Sequence, residues 1–188
     1  MIYFTSDLHL GHANIIRFCN RPFSDVDEMD ETIIANWKSR VTDRDDVYIL
    51  GDLMYRAKAD PDDVLSRFPG RKHLVVGNHD HTWLSRVDVD KHFVEVEDII
   101  VLKTGGLTMT LCHYPMLSWP HSFYGSYMVY GHIHNSVQAE DGWEYIRTRE
   151  RMLNAGVDIN GFYPVMFEEM VRNNDAFKRE QREKEEAH

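Results

Sequence analysis

Short apolar runs in this chain end on polar residues of only a few types. Residues 74–76 are Leu-Val-Val, and they lead through Gly77 to Asn78, His79 and Asp80. A short branched apolar run followed by glycine is typical of a buried strand and the turn after it. Because α/β proteins build their sites at strand ends, this pattern predicts a strand that presents reactive side chains at its end.

Four further runs show the same order of apolar residues followed by Asp or His. Residues 2–4 precede Asp7 and His9, residues 47–50 precede Gly51 and Asp52, residues 107–112 precede His113, and residues 128–130 precede Gly131, His132 and His134. Side chains at i and i+2 of an extended chain project from one face. Asp7 and His9 are therefore a candidate pair of metal ligands, with a turn that carries an incidental histidine as the alternative.

Helical spacing predicts the elements that connect the first strands. Residues 27–41 place Ile33 and Trp37 on one apolar stripe behind an acidic first turn, which is typical of an amphipathic helix. Shorter helices are expected at residues 11–19 and at residues 61–68, where a proline begins the helix. Strands that alternate with helices favour an α/β layer with parallel strands.

The second half of the chain has a different pattern. Residues 98–103 and 107–112 flank a Gly-Gly turn and predict a β-hairpin. Later strands are expected at residues 128–130, 143–146 and 152–155, and a helix is expected from Phe167 onward. Two facing sheets with helices outside accommodate this order of elements.

A single domain over residues 1–175 is expected, followed by a charged helical extension or tail at 176–188. The chain has 188 residues and 43% hydrophobic content, which suffices for one sizeable core. The final residues are almost all charged with mixed signs, which is typical of a solvated helix or a frayed end. A partner-binding helix is the alternative for this segment.

Charge limits the expected partners. Lys+Arg is 21 against Asp+Glu 31, a formal net charge of −10, and no basic run occurs in the sequence. A protein that follows long nucleic acid usually carries a basic stripe that displaces counterions. We therefore expect no long nucleic acid as partner, whereas a small phosphorylated or nucleotide substrate remains compatible. Nothing in the sequence identifies a protein partner.

The cysteines and the hydropathy profile suggest a cytoplasmic protein. Cys19 and Cys112 lie far apart among apolar or aromatic neighbours, so neither a disulfide framework nor a thiolate zinc site is expected. No run of about eighteen apolar residues and no basic start with an apolar segment occurs. We expect no membrane association and a cytoplasmic location.

The residues at the strand ends form a mixed nitrogen and oxygen ligand set. It comprises two carboxylates, four imidazoles and one amide, enough for two divalent ions that share one carboxylate. Such a set suits manganese, iron, zinc or nickel rather than calcium or magnesium, with manganese the first expectation. Its members are Asp7, His9, Asp52, Asn78, His113, His132 and His134.

These motifs, in this order, resemble the calcineurin-like metallophosphoesterase superfamily. The resemblance is carried by Asp7-x-His9, Gly51-Asp52, Gly77-Asn78-His79-Asp80, His113 and Gly131-His132-Ile133-His134. Within the superfamily the chain is similar to the small uncapped bacterial and phage predicted phosphoesterases. The resemblance implies a four-layer αββα sandwich of two mixed β-sheets flanked by helices.

The resemblance also implies a role for each site residue. Asp7, His9 and His134 would hold one metal ion, Asn78, His113 and His132 the other, and Asp52 would bridge them. His79 would contact the phosphate and protonate the leaving oxygen, while Asp80 would orient the His79 imidazole. A hydroxide between the two ions would attack the ester.

Two departures from the superfamily pattern bear on the substrate. His113 is followed by Tyr114-Pro115 where many members have glycine, and Asp52 leads into Leu53 rather than into the Asp-Arg-Gly of protein phosphatases. All seven expected ligands are present. The departures therefore argue against phosphoprotein phosphatase activity and not against catalysis.

Candidate substrate-binding residues are three arginines, two aromatic residues and one histidine. Arginine offers a planar fork of donors to phosphate, and an aromatic ring can stack on a nucleobase. Surface, capping and ordinary packing roles are the alternatives. The candidates are His12, Arg17, Arg21, Arg56, Trp119 and Tyr124.

The predicted function is metal-dependent hydrolysis of phosphoric esters, more specifically phosphodiesters of a small or nucleotide-like substrate. The short chain leaves little length for a cap that would enclose a phosphomonoester, and phosphomonoesterase activity is the first alternative. A non-catalytic metal-binding scaffold of the same fold and a metal-storage or sensor protein are the others. His79 favours the enzyme, because a scaffold has no use for a histidine that binds no ion.

Overall fold

Two four-stranded sheets face each other in the computed structural model, which describes residues 1–57 and 59–187. The first sheet has the order β1 (Ile2–Thr5), β2 (Asp46–Ile49), β3 (Arg71–Val75), β4 (Phe93–Glu97). The second has the order β5 (Ile99–Thr104), β6 (Leu107–Cys112), β7 (Tyr127–Tyr130), β8 (Met152–Asn154).

The two sheets differ in strand direction. β5 and β6 form the antiparallel hairpin expected from the sequence, and β7 and β8 add in parallel. The first sheet is parallel across all four of its strands. The second sheet is therefore mixed, as expected. The first sheet has an antiparallel contact only at the isolated bridge between Phe4 and Val165, within the residues that the structure describes.

Helices cover the outer faces of the sheets. Their bounds are α1 (Ala13–Phe18), α2 (Val26–Arg40), α3 (Pro61–Ser66), α4 (His81–Leu84), α5 (Val89–His92), α6 (Trp143–Ile146) and α7 (Phe167–Glu186). Single 3₁₀ turns occur at Ser122–Tyr124 and Ala139–Asp141. α2 starts where the Asp25 side chain accepts a hydrogen bond from the Glu28 amide, as an N-cap does.

Alternating burial along the strands produces three apolar layers between the four structural layers. Leu50 and Val129 belong to the cluster between the sheets, whereas Ile49 packs with Trp37 of α2 on the outer face of the first sheet. Tyr130 packs with α6 on the outer face of the second. Because side chains alternate across a strand, each sheet serves two of these layers. The predicted four-layer αββα sandwich is confirmed.

One local prediction was wrong, and one strand was not predicted. Residues 143–146, expected as a strand, form α6, because Trp143 and Ile146 are both buried and an i, i+3 spacing brings them to one helical face. The strand β4 was not expected. Its Phe-Val-Glu-Val-Glu pattern alternates only partly, and its pairing with β3 decides its conformation.

α7 is one continuous helix and lies against the edge strands β1 and β8. The expected boundary between residues 175 and 176 falls inside it, and Phe177 and Lys178 beyond that boundary contact the body of the protein. His188 lies outside the described residues. No helix in the described part of the chain has both the length and the apolar character needed to cross a membrane.

Candidate metal centre

Polar residues after β1, β2, β3, β6 and β7 meet at one edge of the sandwich. The structure brings nitrogen or oxygen atoms of Asp7, His9 and His134 within 4.8 Å of one another. The same holds for Asp7, Asp52 and His113, so the shared member Asp7 joins the two groups. All five side chains follow strands, as the sequence pattern predicts.

Asp52 lies at the centre of the cluster. Its Oδ2 atom is 3.5 Å from His9 Nε2 and 3.6 Å from His113 Nε2, and all three side chains are at most 2% exposed. Burial raises the pKa of Asp52, although the charge of His113 acts against this shift. A buried carboxylate between two buried imidazoles is a plausible bridging ligand, because a cation offsets its desolvation.

Asn78 gathers a second group of ligand atoms. Its Oδ1 atom lies 3.0 Å from His113 Nε2 and 3.1 Å from His132 Nδ1. The Tyr114 hydroxyl is 3.4 Å from the same oxygen. An amide oxygen and two imidazole nitrogens that converge on one space form a neutral ligand set for a cation.

His9 provides the test of whether a cation fits. Within the described residues its Nε2 atom is buried and has no hydrogen-bond partner. A buried polar atom without a partner costs about 1–3 kcal/mol. Burial also lowers the pKa of His9, so its imidazole is neutral and keeps the lone pair that a metal ion requires. The residues present fit two divalent ions.

The backbone at the centre is strained. Asp7, His9, Asp52, His132 and His134 all have positive φ, between 52° and 70°. A non-glycine residue in this region costs about 1–3 kcal/mol, and such residues cluster at functional sites. Five of the expected ligands therefore depend on turns that only the surrounding structure can hold.

Glycines let the turns approach one another. A Cβ atom on Gly131 would lie 1.9 Å from Ser6 Oγ and 2.5 Å from Asp7 Oδ2. A Cβ atom on Gly77 would lie 2.5 Å from the Asp52 amide nitrogen. The absence of a side chain at Gly131 allows the amide of His132 to donate to Asp7 Oδ2 at 2.9 Å.

Asp158 belongs to the centre and was missed in the sequence. Its Oδ2 atom is 2.8 Å from His134 Nδ1, and the side chain is 2% exposed. Burial acts to raise its pKa, but the hydrogen bond with His134 and the charge of Arg21 outweigh burial and lower it. The charge of Asp7 and the bond to Asp158 likewise overcome burial and raise the pKa of His134 to about 11. Asp158 follows β8 and Gly156, so the strand–glycine–acid order was the available signal.

Arg21 does not face a substrate. It is 5% exposed, and its Nε atom donates to Asp158 Oδ1 at 2.8 Å. Its other nitrogens donate to the carbonyl oxygens of Asp7 and Leu8 at 2.7 Å and 2.9 Å. The prediction that Arg21 binds substrate is therefore corrected. Its buried guanidinium instead fixes the turn that carries Asp7 and Leu8.

Asp80 does not orient His79. Its Oδ2 atom accepts from the Asp52 and Gly77 amides at 2.8 Å each. Its Oδ1 atom accepts from the Leu53 amide and from Trp83 Nε1, both at 3.0 Å. These four donors saturate the carboxylate. Asp80 therefore joins the turns after β2 and β3, and burial raises its pKa to about 6 despite these bonds.

His79 lies at the open side of the cluster. Its side chain is 31% exposed, and its Nε2 atom is 3.9 Å from Asp52 Oδ2. The Tyr55 ring packs on it at a centroid distance of 4.5 Å, and His12 packs on Tyr55 at 4.6 Å. Tyr55 was not singled out in the sequence, and its ring packs on the His79 ring together with that of His9.

A cleft of about 930 Å³ begins at His9, His79 and His134 and extends to Arg56 and Phe18. Two predicted substrate residues, His12 and Arg56, line it. Phe18 at its rim is 64% exposed. This cleft is the space next to the ligand cluster in which a substrate would bind.

Three predicted substrate residues lie outside the cleft. Arg17 is exposed on α1 and lies over the Phe18 ring, while Trp119 and Tyr124 line other depressions. The aromatic side chain beside the ligands is Tyr114, whose ring centroid is 4.5 Å from that of His132. Stacking of a substrate base on Trp119 or Tyr124 beside the ligand cluster is therefore not supported, because the loop between β6 and β7 carries both residues away from it.

Comparisons with known proteins agree with this geometry. The family model described as calcineurin-like phosphoesterase matches residues 1–180. A protein of Methanocaldococcus jannaschii is 34% identical over 174 residues, which cover 91% of this chain and 89% of that protein. The gene 66 protein of mycobacterium phage D29 is 29% identical over 182 residues, covering 84% of this chain and 87% of its own.

A solved structure has the same fold. The crystal structure of a protein of unknown function from Aquifex aeolicus matches with a TM-score of 0.67 and 27% identity, covering 88% of this chain and 94% of that one. Metal-dependent phosphoester hydrolysis is the activity that the family match supports. The chain belongs to the calcineurin-like phosphoesterase family.

Proposed function

We propose that this phosphoesterase hydrolyses phosphodiesters of small or nucleotide-like molecules with two divalent ions, manganese being the first candidate. The observation that carries the proposal is the convergence of imidazole nitrogens on two oxygens, Asp52 Oδ2 and Asn78 Oδ1. His113 Nδ1 donates to the Leu50 carbonyl at 2.7 Å, so in the neutral ring Nε2 is an acceptor that faces two oxygens that also accept, and a cation between them explains the arrangement.

The ligands divide into two groups around Asp52. Asp52 Oδ2 lies within 3.6 Å of one imidazole nitrogen from each group, which supports a bridging role. When bound, the two ions would polarise phosphate oxygens and make water acidic enough to ionise near neutral pH. We assign Asp7, His9 and His134 to one ion and Asn78, His113 and His132 to the other.

His79 is the proposed general acid. It lines the cleft, its imidazole is partly exposed, and its backbone amide donates to Asp52 Oδ1 at 2.9 Å. A proton held on Nε2 would pass to the oxygen of the leaving group. Such proton transfer contributes about 10²–10⁴-fold when the leaving group is a poor one.

The cleft favours a diester over a monoester. Its volume of about 930 Å³ leaves room for an organic group beyond the phosphate. Arg56 is the only arginine or lysine among those of its lining residues that the structure describes. One formal positive charge beyond the ions matches the single negative charge of a diester better than the two of a monoester.

The test compares a bis-aryl phosphodiester with an aryl phosphomonoester. The metal-stripped protein is reloaded with Mn, Fe, Zn, Ni or Mg, and turnover and bound metal are measured together. We expect metal-dependent turnover with the diester preferred, and loss of turnover in Asp52→Asn. Preference for the monoester would overturn the diester assignment, and two bound ions without turnover of any ester would favour a scaffold.

Leaving-group dependence tests His79. His79→Ala is expected to lose about 10²–10⁴-fold in turnover of a dinucleotide, whose leaving alkoxide needs a proton. The same variant should lose far less with a nitrophenyl diester, because nitrophenolate leaves unprotonated. Equal losses with both substrates would contradict a general acid role. Ser85→Ala, a change of an exposed residue, serves as control.

A further inference from the structure

A second groove lies away from the cleft, between the loop after α6 and one face of α7 from Val171 to Arg182. It has a volume of about 500 Å³. We call it the basic groove, and its cationic lining residues are Arg147, Arg149, Arg151, Lys178, Arg179 and Arg182. Such a concentration of cations is unexpected in a chain with a formal net charge of −10.

Two of these cations are occupied by contacts within the protein. Arg147 pairs with Glu144 and with Glu185 at 2.8 Å and 2.9 Å. The Lys178 ammonium is buried and donates to the carbonyl oxygens of Arg149 and Met152. Neither side chain is free to contact a ligand.

The other four arginines keep guanidinium nitrogens available to a ligand. Arg149, Arg151, Arg179 and Arg182 are exposed and pair with no carboxylate within residues 1–57, 59–139 and 141–187. Arg151 Nη1 donates to the Gly125 carbonyl, which leaves its other nitrogens. Among the lining residues that the structure describes, two are acidic: Glu150 on the loop and Asp175 on α7. The four guanidinium groups therefore give the groove a net positive charge.

Aromatic side chains accompany the arginines. The Arg149 guanidinium lies 4.5 Å from the Tyr145 ring centroid, and that of Arg151 lies 5.1 Å from the Tyr127 centroid. These contacts limit the orientations of the two guanidinium groups. An arginine held flat on a ring loses less freedom when it binds a phosphate.

Two further depressions continue the groove and carry exposed rings. One shares Arg149 and Arg151 with it, and the other shares Arg151. Phe123 and Tyr124 in these depressions are 96% and 89% exposed. Rings of this size are rarely left in water without a partner when they are adjacent.

The basic groove is separate from the metal centre. It adjoins Tyr127, the first residue of β7, and Arg151, which directly precedes β8. The ligands His132 and His134 follow the other end of β7. Because β7 and β8 are parallel, the groove and the metal centre lie at opposite ends of the second sheet.

We propose that the basic groove and its aromatic extension bind single-stranded nucleic acid. Spaced arginines match the repeating phosphates of the strand, and exposed rings match bases that are not already stacked in a duplex. An acidic peptide would use the arginines but not the rings. A flat bilayer would fit concave depressions poorly. The proposal thereby qualifies the expectation, drawn from net charge and the absence of a basic run, that long nucleic acid is not a partner.

The first test is fluorescence anisotropy with labelled 15-nucleotide single strands of DNA and of RNA. The wild-type protein and Asp52→Asn are compared, so that binding is measured apart from hydrolysis. With four arginines on phosphates, the slope of log K against log salt is expected near −2.8, about 50-fold weaker binding at 200 mM than at 50 mM salt. Retained binding in Asp52→Asn would separate this site from the proposed function. The ratio of the affinities for the DNA strand and the RNA strand identifies which sugar is preferred.

Variants separate the arginines from the rings. Arg149→Ala/Arg179→Ala should weaken binding at least tenfold and reduce the salt slope to about −1.4. Phe123→Ser/Tyr124→Ser should weaken binding at least about fivefold without changing the slope. Arg44→Ala/Arg86→Ala removes the same charge from exposed arginines elsewhere and should bind as the wild type does.

Three results would overturn the proposal. The first is that no oligonucleotide binds at 50 mM salt. The second is that Arg149→Ala/Arg179→Ala binds as tightly as the control Arg44→Ala/Arg86→Ala. The third is that duplex binds as tightly as single strand and that Phe123→Ser/Tyr124→Ser does not change the affinity. Anionic vesicles or a poly-Glu peptide that bind more tightly than the oligonucleotides, with loss in Arg149→Ala/Arg179→Ala, would assign the groove to that other partner class. Circular dichroism of each variant verifies the fold.

Discussion

At the scale of single residues, His134 shows how the centre depends on side chains behind the ligands. Asp158 bonds to its Nδ1 atom at 2.8 Å, which leaves Nε2 directed toward Asp7 Oδ1, 4.0 Å away. A carboxylate behind a histidine ligand fixes the ring and makes it more basic. Arg21 in turn pairs with Asp158, so a series of polar contacts runs from His134 through Asp158 to the buried Arg21.

Asp158→Asn is expected to weaken binding of the ion held by His134 about 10–100-fold. The amide keeps the shape of the side chain but removes the charge that orients His134 and balances Arg21. Calorimetric titration of the metal-stripped variant would measure the change. Asp90→Asn, a substitution of an exposed aspartate, should bind metal as the wild type does, and equal affinities of the two variants would contradict the role of Asp158.

Gly131→Ala tests the close approach of β7 to β1. The new methyl would collide with Ser6 Oγ, which is fixed by its hydrogen bond to the Leu50 carbonyl at 2.7 Å, and with Asp7 Oδ2. We expect a loss of about 1–3 kcal/mol in the free energy of unfolding and weaker metal binding. Urea unfolding and calorimetry measure these effects.

A second substitution separates the two collisions of that methyl. Adding Ser6→Ala to Gly131→Ala should restore part of the stability but not the metal affinity, because the contact with Asp7 remains. Gly105→Ala is the control: it meets no atom within 4 Å, and only its positive φ of 53° opposes the substitution. If Gly105→Ala lowered metal affinity as much as Gly131→Ala, steric contact with Asp7 would not be the cause.

At the scale of elements, α7 is attached to the end of β8 by buried polar groups. The Asn174 amide side chain bonds both to the amide and to the carbonyl of Asn154. Asn154 donates from its side chain to the His134 carbonyl at 2.7 Å. Lys178 adds bonds to the carbonyls of Arg149 and Met152. The helix thus supports the turn that carries a ligand.

Lys178→Met should lower the free energy of unfolding by about 1–3 kcal/mol, because two carbonyl oxygens lose their donor while the apolar stem is kept. Urea unfolding at pH 7 measures the change. Lys38→Met removes an exposed ammonium from α2 and should change stability by less than about 0.5 kcal/mol. A stability of Lys178→Met equal to that of the control would contradict the anchoring role.

The pH dependence of stability in the wild type and in Lys178→Met tests whether the Lys178 ammonium is protonated in the folded state. Burial lowers the pKa of Lys178 from 10.5 to about 8. Between these values the unfolded chain binds more protons than the folded one, so this group makes stability rise with pH. The stability difference between wild type and Lys178→Met should therefore widen from pH 8 to pH 10. A constant difference over this range would show that the pKa is not lowered.

At the scale of the whole molecule, the proposed metal centre lies between the two sheets. Asp7, Asp52 and Asn78 follow strands of the first sheet, and His113, His132 and His134 follow strands of the second. Bound ions would link the two sheets at this edge and relieve the unpartnered nitrogen of His9. Metal binding and stability should be coupled.

Chelation should therefore lower the melting temperature. An ion at 100 times its dissociation constant stabilises the folded state by about 2.7 kcal/mol. For a chain of this length, that corresponds to about 5–10 °C. Scanning calorimetry with excess Mn²⁺ and with EDTA measures the shift, and Asp52→Asn should reduce it. An unchanged melting temperature in the wild type would contradict ions that bridge the sheets.

The sequence by itself determined the local features. Apolar runs, a proline at the start of α3 and the stripe on α2 predicted most elements, and five runs that end on Asp, His or Asn pointed to the seven side chains that cluster at one edge of the sandwich. Each of these signals lies within a few residues of the element or ligand that it predicts. Residues 143–146 and β4 were exceptions: four apolar-rich residues fit one helical turn as well as a strand, and the pairing of β4 with β3 decided its conformation.

Only the tertiary structure decided which groups from distant segments meet. It directed Asp80 to the turns after β2 and β3 and Arg21 to Asp158, and it placed Trp119 and Tyr124 away from the cleft. It also brought arginines of the loop before β8 together with those of α7, although the sequence contains no basic run. The physical reason is that hydrogen bonds, burial and net local charge depend on distances between segments. The order of residues along a strand does not contain those distances.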